Sequence, residues 1–345
     1  MVVSSIILIY RREVTGNSFS VNEYMKTIVS KSKEKFSLES YAENERRSPL
    51  QTRKKQLNIF LAAFILPGLL LYTIFRFVPS IIGLGISLFD WKGVTLNMNF
   101  VGFANYITLL KDKLFFNSLY NHMYLFVWNT IIVFVLAIAL SVLLTSNHMR
   151  ERGFYRVMFF FPTVVPAVII NVLWMSVFNP NTGILNGILA LFGIPGLNWL
   201  GDGILVKNSI LFVMVWKSLG FYMVLFMASI LNIPTSLFEA ARIDGCNVFR
   251  QTFSITIPLM WEQIRTSLLF FIVTSCGVGF NMVFMMTKGG PDSASEIMTT
   301  YMYKLSFGGQ SRFGYASAVS MAILIVTTLL ALIILKATKR ESYEM

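Results

Sequence analysis

Stretches of largely apolar residues recur along the chain at 57–78, 120–145, 154–178, 208–231, 265–287 and 313–336. Each reaches the ~20 residues that an α-helix needs to cross the hydrocarbon layer of a bilayer. No feature constrains the fold more. In lipid no water is available to satisfy backbone N–H and C=O groups, so a chain that crosses repeatedly does so as internally bonded helices or as a closed barrel, and runs of this length specify helices. The expected fold class is an all-α membrane protein with about six transmembrane helices. The composition agrees: 55% of residues are hydrophobic and 13% charged, where a soluble domain carries about a quarter charged residues. After Pro79 the first stretch continues as Ile81–Phe89 until Asp90-Trp91, which predicts a kinked helix projecting beyond the membrane.

The net charge of +12 invites a nucleic-acid reading, but the basic residues sit in short connections between the apolar stretches. That is how membrane proteins set their orientation, and it excludes nucleic acid as a partner. With the N-terminus inside, the inner segments hold 20 Lys and Arg and the outer segments 7, Arg76 and Lys217 lying within the stretches. Both termini are therefore expected in the cytoplasm, with most of the bias carried by residues 1–56. Those residues are polar and of mixed charge and read as a cytoplasmic extension, either an upstream start or a regulatory tail, the first being favoured. Cys246, Cys276, His122 and His148 lack metal-ligand spacing, so neither a metal site nor a disulfide framework is expected. In the outer loop Asn179–Val206, turn signals flank an apolar piece, Ile184–Phe192, which predicts a small helix near the outer surface.

The segment between the fourth and fifth stretches carries the most specific pattern. Ser236 followed by Glu239 reads as a capping box that starts a short helix. Ala240 and Ala241 favour helix, Gly245 supplies a left-handed residue to end it, Asn247 can cap a second helix, and Pro258 breaks that helix before the fifth stretch. A compact helix–turn–helix held between two spans is stiff enough to pass movement from a cytoplasmic partner to the membrane helices. On capping and periodicity alone, an ordinary loop with an amphipathic turn fits equally well.

The spacing Glu239-Ala240-Ala241, three residues, Gly245, nine residues, Ile255, one residue, Ile257-Pro258 resembles the EAA loop of binding-protein-dependent ABC importer permeases. Ile257 stands where Leu is usual and Cys246 where Ala is common. Asn198-Trp199-Leu200-Gly201-Asp202, Ala241-Arg242-Ile243-Asp244-Gly245 and Thr287-Lys288-Gly289-Gly290-Pro291 look like the carbohydrate-uptake branch, and the order of features resembles the first permease of a maltose, multiple-sugar or glycerol-3-phosphate type pair. The resemblance implies the type I importer permease architecture over 57–340, with an EAA coupling loop at 232–262 and a C-terminal tail at 341–345. It further implies a bacterial inner-membrane location, a second homologous permease, two ATPase subunits that hold ATP and Mg, and a solute-binding protein. This chain itself would bind no cofactor and catalyse no reaction. Glu239, Ala240, Ala241, Arg242, Asp244 and Gly245 would form the coupling helix that docks on the ATPase.

The solute path of such a protein is expected near mid-membrane, where polar groups are tolerated because they face a cavity. Ser275, Cys276, Gly277, Gly279 and Asn281 cluster in the fifth stretch, and Trp216, Lys217, Ser218, Gly220 and Tyr222 in the fourth. Asn281 can exchange hydrogen bonds with sugar hydroxyls and an aromatic face can stack on a sugar ring. The glycines fit tight helix packing at least as well, and Lys217 fits snorkelling or pairing with a partner acid better. Asn171, Trp174 and Arg76 are weaker candidates. Two competing classes lack support: a membrane-bound glycosyltransferase needs acidic or metal-binding residues gathered at one face, and an ion-coupled transporter or channel ordinarily carries intramembrane carboxylates. No G-x-x-x-x-G-K-[ST] sequence occurs, so ATP hydrolysis would fall to another chain. An oligosaccharide is preferred over an anionic substrate, because the candidate path offers the single cation Lys217.

Overall fold

The computed structural model describes residues 21–93, 97–145, 151–309 and 311–339, without the side chains of 21–25, 28, 38–55 and 276. Expectations for 1–20 and 341–345 therefore fall outside the described residues. The chain divides into two compact units, one ending at Pro79 and the other beginning at Ser80.

In the first unit, α1 (Val21–Tyr72) runs from the polar extension into the first apolar stretch and continues as a π-helical turn, Thr73–Phe77. The extension is thus helical from Val21 onward, which its mixed composition did not announce. From Val78 the chain continues as α2 (Val78–Ile86). Pro79 lacks an N–H, and the wider turn just ahead, closed by Val78 N–H on the Thr73 carbonyl, takes up the disturbance without ending the helix.

The second unit is an all-helical bundle with one small hairpin. Strands β1 (Phe89–Asp90) and β2 (Asn99–Phe100) pair antiparallel, Phe89 opposite Phe100. There follow α3 (Ala104–Leu109), α4 (Lys113–Thr145), α5 (Arg152–Val164), α6 (Ala167–Val177), α7 (Ile184–Leu191) and α8 (Leu205–Leu231). The remainder comprises α9 (Thr235–Ile243), α10 (Val248–Gln251), a second π-helical turn (Thr252–Thr256), α11 (Ile257–Leu259), α12 (Trp261–Met286), α13 (Met298–Phe307) and α14 (Phe313–Ala337). Among the described residues, four helices are long and apolar enough to cross a membrane, or up to six if each of two bent pairs counts as one span.

The third stretch bends at Pro166: α5 and α6 meet at 102°. Pro166 disfavours the helical conformation for the residue before it, and Val165 is extended at φ −70°, ψ 133°. Two expectations need correction. The second span is longer than its apolar run, because Asp112 caps it, Oδ1 accepting from Leu114 N–H at 2.9 Å and Phe115 N–H at 3.3 Å. The capping box at Ser236 does not form. Pro234, at φ −55° and ψ 128°, stands at the N-cap, and α9 begins at once with Thr235. Ser236 therefore lies inside the first turn, where its hydroxyl cannot cap.

The core is built between α4 and α8, which pack along their length. Phe134, Tyr222, Phe226 and Phe271 interlock, with ring centroids 5.1–5.7 Å apart for Phe134 against the other three. Gly220 lets α5 cross α8 backbone to backbone, since a Cβ there would lie 2.7 Å from Phe160 Cα and closer still to the Phe159 carbonyl. At the end of the bundle that carries α9, Trp261 Nε1 donates to Thr338 O at 2.9 Å and ties α12 to the end of α14.

Candidate functional site

The segment from Pro234 to Met260 is shaped locally by its own sequence. Gly245 adopts φ +75° and ends α9. Cys246 N–H donates to Ala241 O at 2.8 Å and Gly245 N–H to Arg242 O at 3.0 Å, the paired bonds of a Schellman motif. Asn247 then caps α10, its Oδ1 accepting from Arg250 N–H at 2.9 Å. Gln251 Nε2 closes the turn by donating to Cys246 O at 2.8 Å. The result is a rigid corner in which Ala241 is buried while Glu239, Ala240, Arg242, Asp244 and Gly245 are exposed. Around them lies apolar surface that sequence reasoning missed: Ile243 is 87% exposed and Phe249 72%, with the Phe253 ring tilted against Phe249 at 4.7 Å. Their alternation with charged residues hid them, because a polar loop gives no periodic signal.

In the membrane helices the structure separates the path candidates. Ser275 and Gly279 line one small cavity of about 10 Å³, room for a single water, together with His122, Phe126, Met214 and Ile297. Gly277 and Asn281 lie on the exposed face of α12, Asn281 Nδ2 donating back to Gly277 O at 3.1 Å. Trp216 packs edge-on against Trp174 at 5.4 Å, while Ser218 is half-buried and Tyr222 is 4% exposed within the aromatic core. Lys217 Nζ donates to the Val165 carbonyl at 3.0 Å, the oxygen that the break before Pro166 releases. Asn171 is fully buried and donates to Asn281 O at 3.1 Å, tying α6 to α12.

The opposite end of the bundle holds polar networks that join distant parts of the chain. Asp112 Oδ2 accepts from Tyr315 Oη at 2.6 Å and from Tyr301 Oη, fastening α13 and α14 to the start of α4. Burial raises the Asp112 pKa, but the hydroxyls of Tyr301 and Tyr315 and the N–H groups of Phe115 and Leu114 outweigh it and hold the carboxyl below its ordinary value. Burial and the neighbouring carboxylate push the Tyr301 phenol up. Asn121 Nδ2 donates to the carbonyls of Ser293 at 3.2 Å and Glu296 at 3.0 Å, and its Oδ1 accepts from Lys207 Nζ at 3.2 Å. Glu296 is 2% exposed and ion-paired with Lys304. In the loop before α8, Asn186 accepts from Trp199 Nε1 at 2.9 Å and Leu197 N–H at 3.1 Å, and Asp202 Oδ1 caps α8 through Ile204 N–H at 2.7 Å.

A family model described as the binding-protein-dependent transport system inner membrane component matches residues 137–339. The diacetylchitobiose uptake system permease protein NgcF of Streptomyces coelicolor is 32% identical over 286 residues, covering 80% of this chain and 81% of the relative. The probable ABC transporter permease protein YurN of Bacillus subtilis is 33% identical over 284 residues, covering 81% and 96%. In fold, the chain resembles a bacterial alginate ABC transporter solved with an alginate pentasaccharide-bound periplasmic protein, at a TM-score of 0.73 and 22% identity, covering 83% of this chain and 96% of the other. Apolar spans joined by a capped, exposed corner, and a family match that includes both, lead to one assignment: the chain belongs to the binding-protein-dependent transport system inner membrane components and is an ABC transporter permease, a transport component and not an enzyme.

Proposed function

We propose that this chain is one of two pore-forming subunits of an ATP-driven importer of oligosaccharides in the bacterial cytoplasmic membrane. It crosses the bilayer six times with both termini in the cytoplasm, and two ATPase subunits, holding ATP and Mg, dock beneath the corner at 232–262. A second homologous permease completes the pore, and a solute-binding protein delivers the sugar to the opposite face. Glu239, Ala240, Ala241, Arg242, Asp244 and Gly245 form the coupling helix. Trp216, Lys217, Ser218, Tyr222, Ser275, Gly277, Gly279 and Asn281 belong to the helices around the sugar path.

The observation that carries this reading is the exposed apolar surface of the corner. Ile243 and Phe249, at 87% and 72% exposure, project from a turn that the Schellman motif and the Asn247 cap make rigid. A stiff element with an uncovered apolar face suits a partner that pushes on it. Movement of that partner shifts the permease only if it favours one of two permease states. Saccharide as the cargo is supported by the chitobiose-uptake relative and by the alginate transporter that shares the fold.

Mild detergent extraction from native membranes, mass spectrometry of co-purifying chains and ATPase assays with and without Glu239→Lys test the proposal. An ATPase and a second permease are expected with the wild-type chain, and the charge reversal is expected to shed the ATPase or abolish its stimulation. A chain that purifies alone and is indifferent to Glu239→Lys would be a stand-alone transporter.

A further inference from the structure

Beyond the proposed function, we propose that α7 is a lipid-docking element: it lies in the leaflet opposite the coupling corner, with Ile184, Ile188, Leu191 and Phe192 at the boundary between acyl chains and headgroups. The proposal rests on α6 and α8 being membrane spans and not on the cargo. Ile184, Ile188 and Leu191 recur at helical spacing and share one face. They are 66%, 46% and 84% exposed, and Phe192, which follows the helix, is 76% exposed. Large apolar side chains uncovered together mark a contact with protein or with membrane. The other side of the helix is fully committed. Asn186, which is buried, donates from Nδ2 to Pro180 O at 2.9 Å and Leu197 O at 2.8 Å, and its Oδ1 accepts from Leu197 N–H at 3.1 Å and Trp199 Nε1 at 2.9 Å. Both donors and both lone pairs of the amide are used, so α7 cannot roll its apolar face inward without breaking them.

The same bonds set the depth of the helix. Trp199 O accepts from Ser209 Oγ at 3.0 Å, one turn inside α8, and the Trp199 ring packs on Phe178 at the end of α6, centroids 5.9 Å apart. The loop is therefore folded back along the ends of two spans instead of standing above them. With 27 residues, α8 is ~40 Å long and reaches from one headgroup layer to the other, so its first turn, and α7 with it, stands at headgroup level. Charge decides between lipid and protein. From Val157 to Gly201 the sequence has no Asp, Glu, Lys or Arg, so the uncharged third stretch continues through α7. The loop 288–312, at the same end of the bundle, carries Lys288, Asp292, Glu296, Lys304 and Arg312. A soluble partner is steered by charge and held within a polar rim, which that loop offers and the α7 loop lacks. An apolar, uncharged face at headgroup depth suits acyl chains.

The test uses the complex as purified from native membranes, reconstituted into vesicles of phosphatidylethanolamine and phosphatidylglycerol. In a Cys246→Ser, Cys276→Ala background, nitroxide labels are attached through Ile184→Cys, Ile188→Cys, Leu191→Cys and Phe192→Cys. Asn181→Cys, in the turn before α7, is the reference, and the background complex is the blank. Collision with oxygen, which concentrates among acyl chains, and with a water-soluble nickel chelate reports the surroundings and depth of each label. The four labels are expected to collide with oxygen in preference to nickel, at about 5–10 Å into the headgroup–acyl boundary, and the label at position 181 to show the reverse. Labels shielded from both reagents would place the face against the second permease. Labels open to nickel would place it in water, free for a solute-binding protein. Either result overturns the inference. ATP-driven saccharide uptake by vesicles of the unsubstituted complex reports separately on the proposed function: oxygen-exposed labels beside absent uptake leave the lipid contact standing and count against the importer.

Discussion

Removing the Asp112 carboxylate should loosen the end of the bundle opposite the coupling corner, and the structure gives the size of the effect. Asp112→Ala deletes the cap of α4, a loss of about 1 kcal/mol. It also strands the hydroxyls of Tyr301 and Tyr315, which are 8% and 3% exposed, at about 1–3 kcal/mol each. The expected total is about 3–7 kcal/mol, less whatever the tyrosines recover by bonding to each other or rotating toward water. Asp112→Asn keeps one oxygen for the cap and should cost less than half as much. Tyr301→Phe and Tyr315→Phe each remove one donor and should cost about 1–2 kcal/mol, and their double-mutant cycles with Asp112→Ala should couple. The assay is the thermal midpoint of the purified complex in detergent. Because the folded-state pKa of Asp112 lies below its unfolded value, its contribution is complete above the ordinary carboxylate pKa and is lost as pH falls through the lower folded value. The wild-type advantage over Asp112→Asn should therefore be flat from pH 8 to pH 5 and shrink only in stronger acid. An Asp112→Ala complex as stable as wild type, or an advantage that fades between pH 8 and 6, refutes this account.

Substitutions at two further positions probe the crossing of α5 and α8. Gly220→Ala puts a methyl group against the Phe159–Phe160 backbone, which cannot yield as a side chain would, and should cost about 3 kcal/mol or prevent assembly, read as the yield and midpoint of the complex. Lys217→Leu leaves the Val165 carbonyl without its donor at the α5–α6 break and should cost about 1–3 kcal/mol, whereas Lys217→Arg should recover most of that, both read by the same midpoint. Equal destabilisation by Leu and Arg at position 217 would mean that packing and not the hydrogen bond sets the cost.

Much of the fold was legible because lipid makes length and apolarity decisive. The stretch read at 208–231 is the helix Leu205–Leu231, and that read at 313–336 is Phe313–Ala337. The small helix expected in the outer loop is Ile184–Leu191. Local signals held where one residue controls one conformation, as at Gly245 and Asn247, and failed where a neighbour intervened, as when Pro234 started α9 ahead of Ser236. The Asp112 network was invisible because its tyrosines lie 189 and 203 residues downstream, and nothing local to Asp112 marks them. His122 and Ser275 stand in different helices, and only packing shows that they line the same small cavity.

The prolines show how far a local rule reaches before tertiary structure takes over. Pro79 and Pro258 each follow a π-helical turn by two residues, and in both the residue before proline donates five residues back, Val78 to Thr73 and Ile257 to Thr252. The widened turn absorbs the missing donor, so the chain stays helical past Pro79, whereas past Pro258 the helix ends at Leu259 and α12 starts afresh at Trp261, as expected of a proline placed before the fifth stretch. Pro166 does the opposite: Val165 turns extended and the helix breaks through 102°. A break of that kind exposes a carbonyl with no partner in its own helix, and in a water-free interior this would cost as much as a lost hydrogen bond. The difference is Lys217, whose ammonium reaches that carbonyl from α8, while Thr163 Oγ1 donates to Lys217 O at 3.1 Å in the other direction. The two helices thus exchange bonds at the point where one of them is broken, beside the close approach at Gly220. The same proline chemistry yields a bulge where a chain must answer for its own backbone and a sharp bend where a neighbouring helix supplies the missing donor.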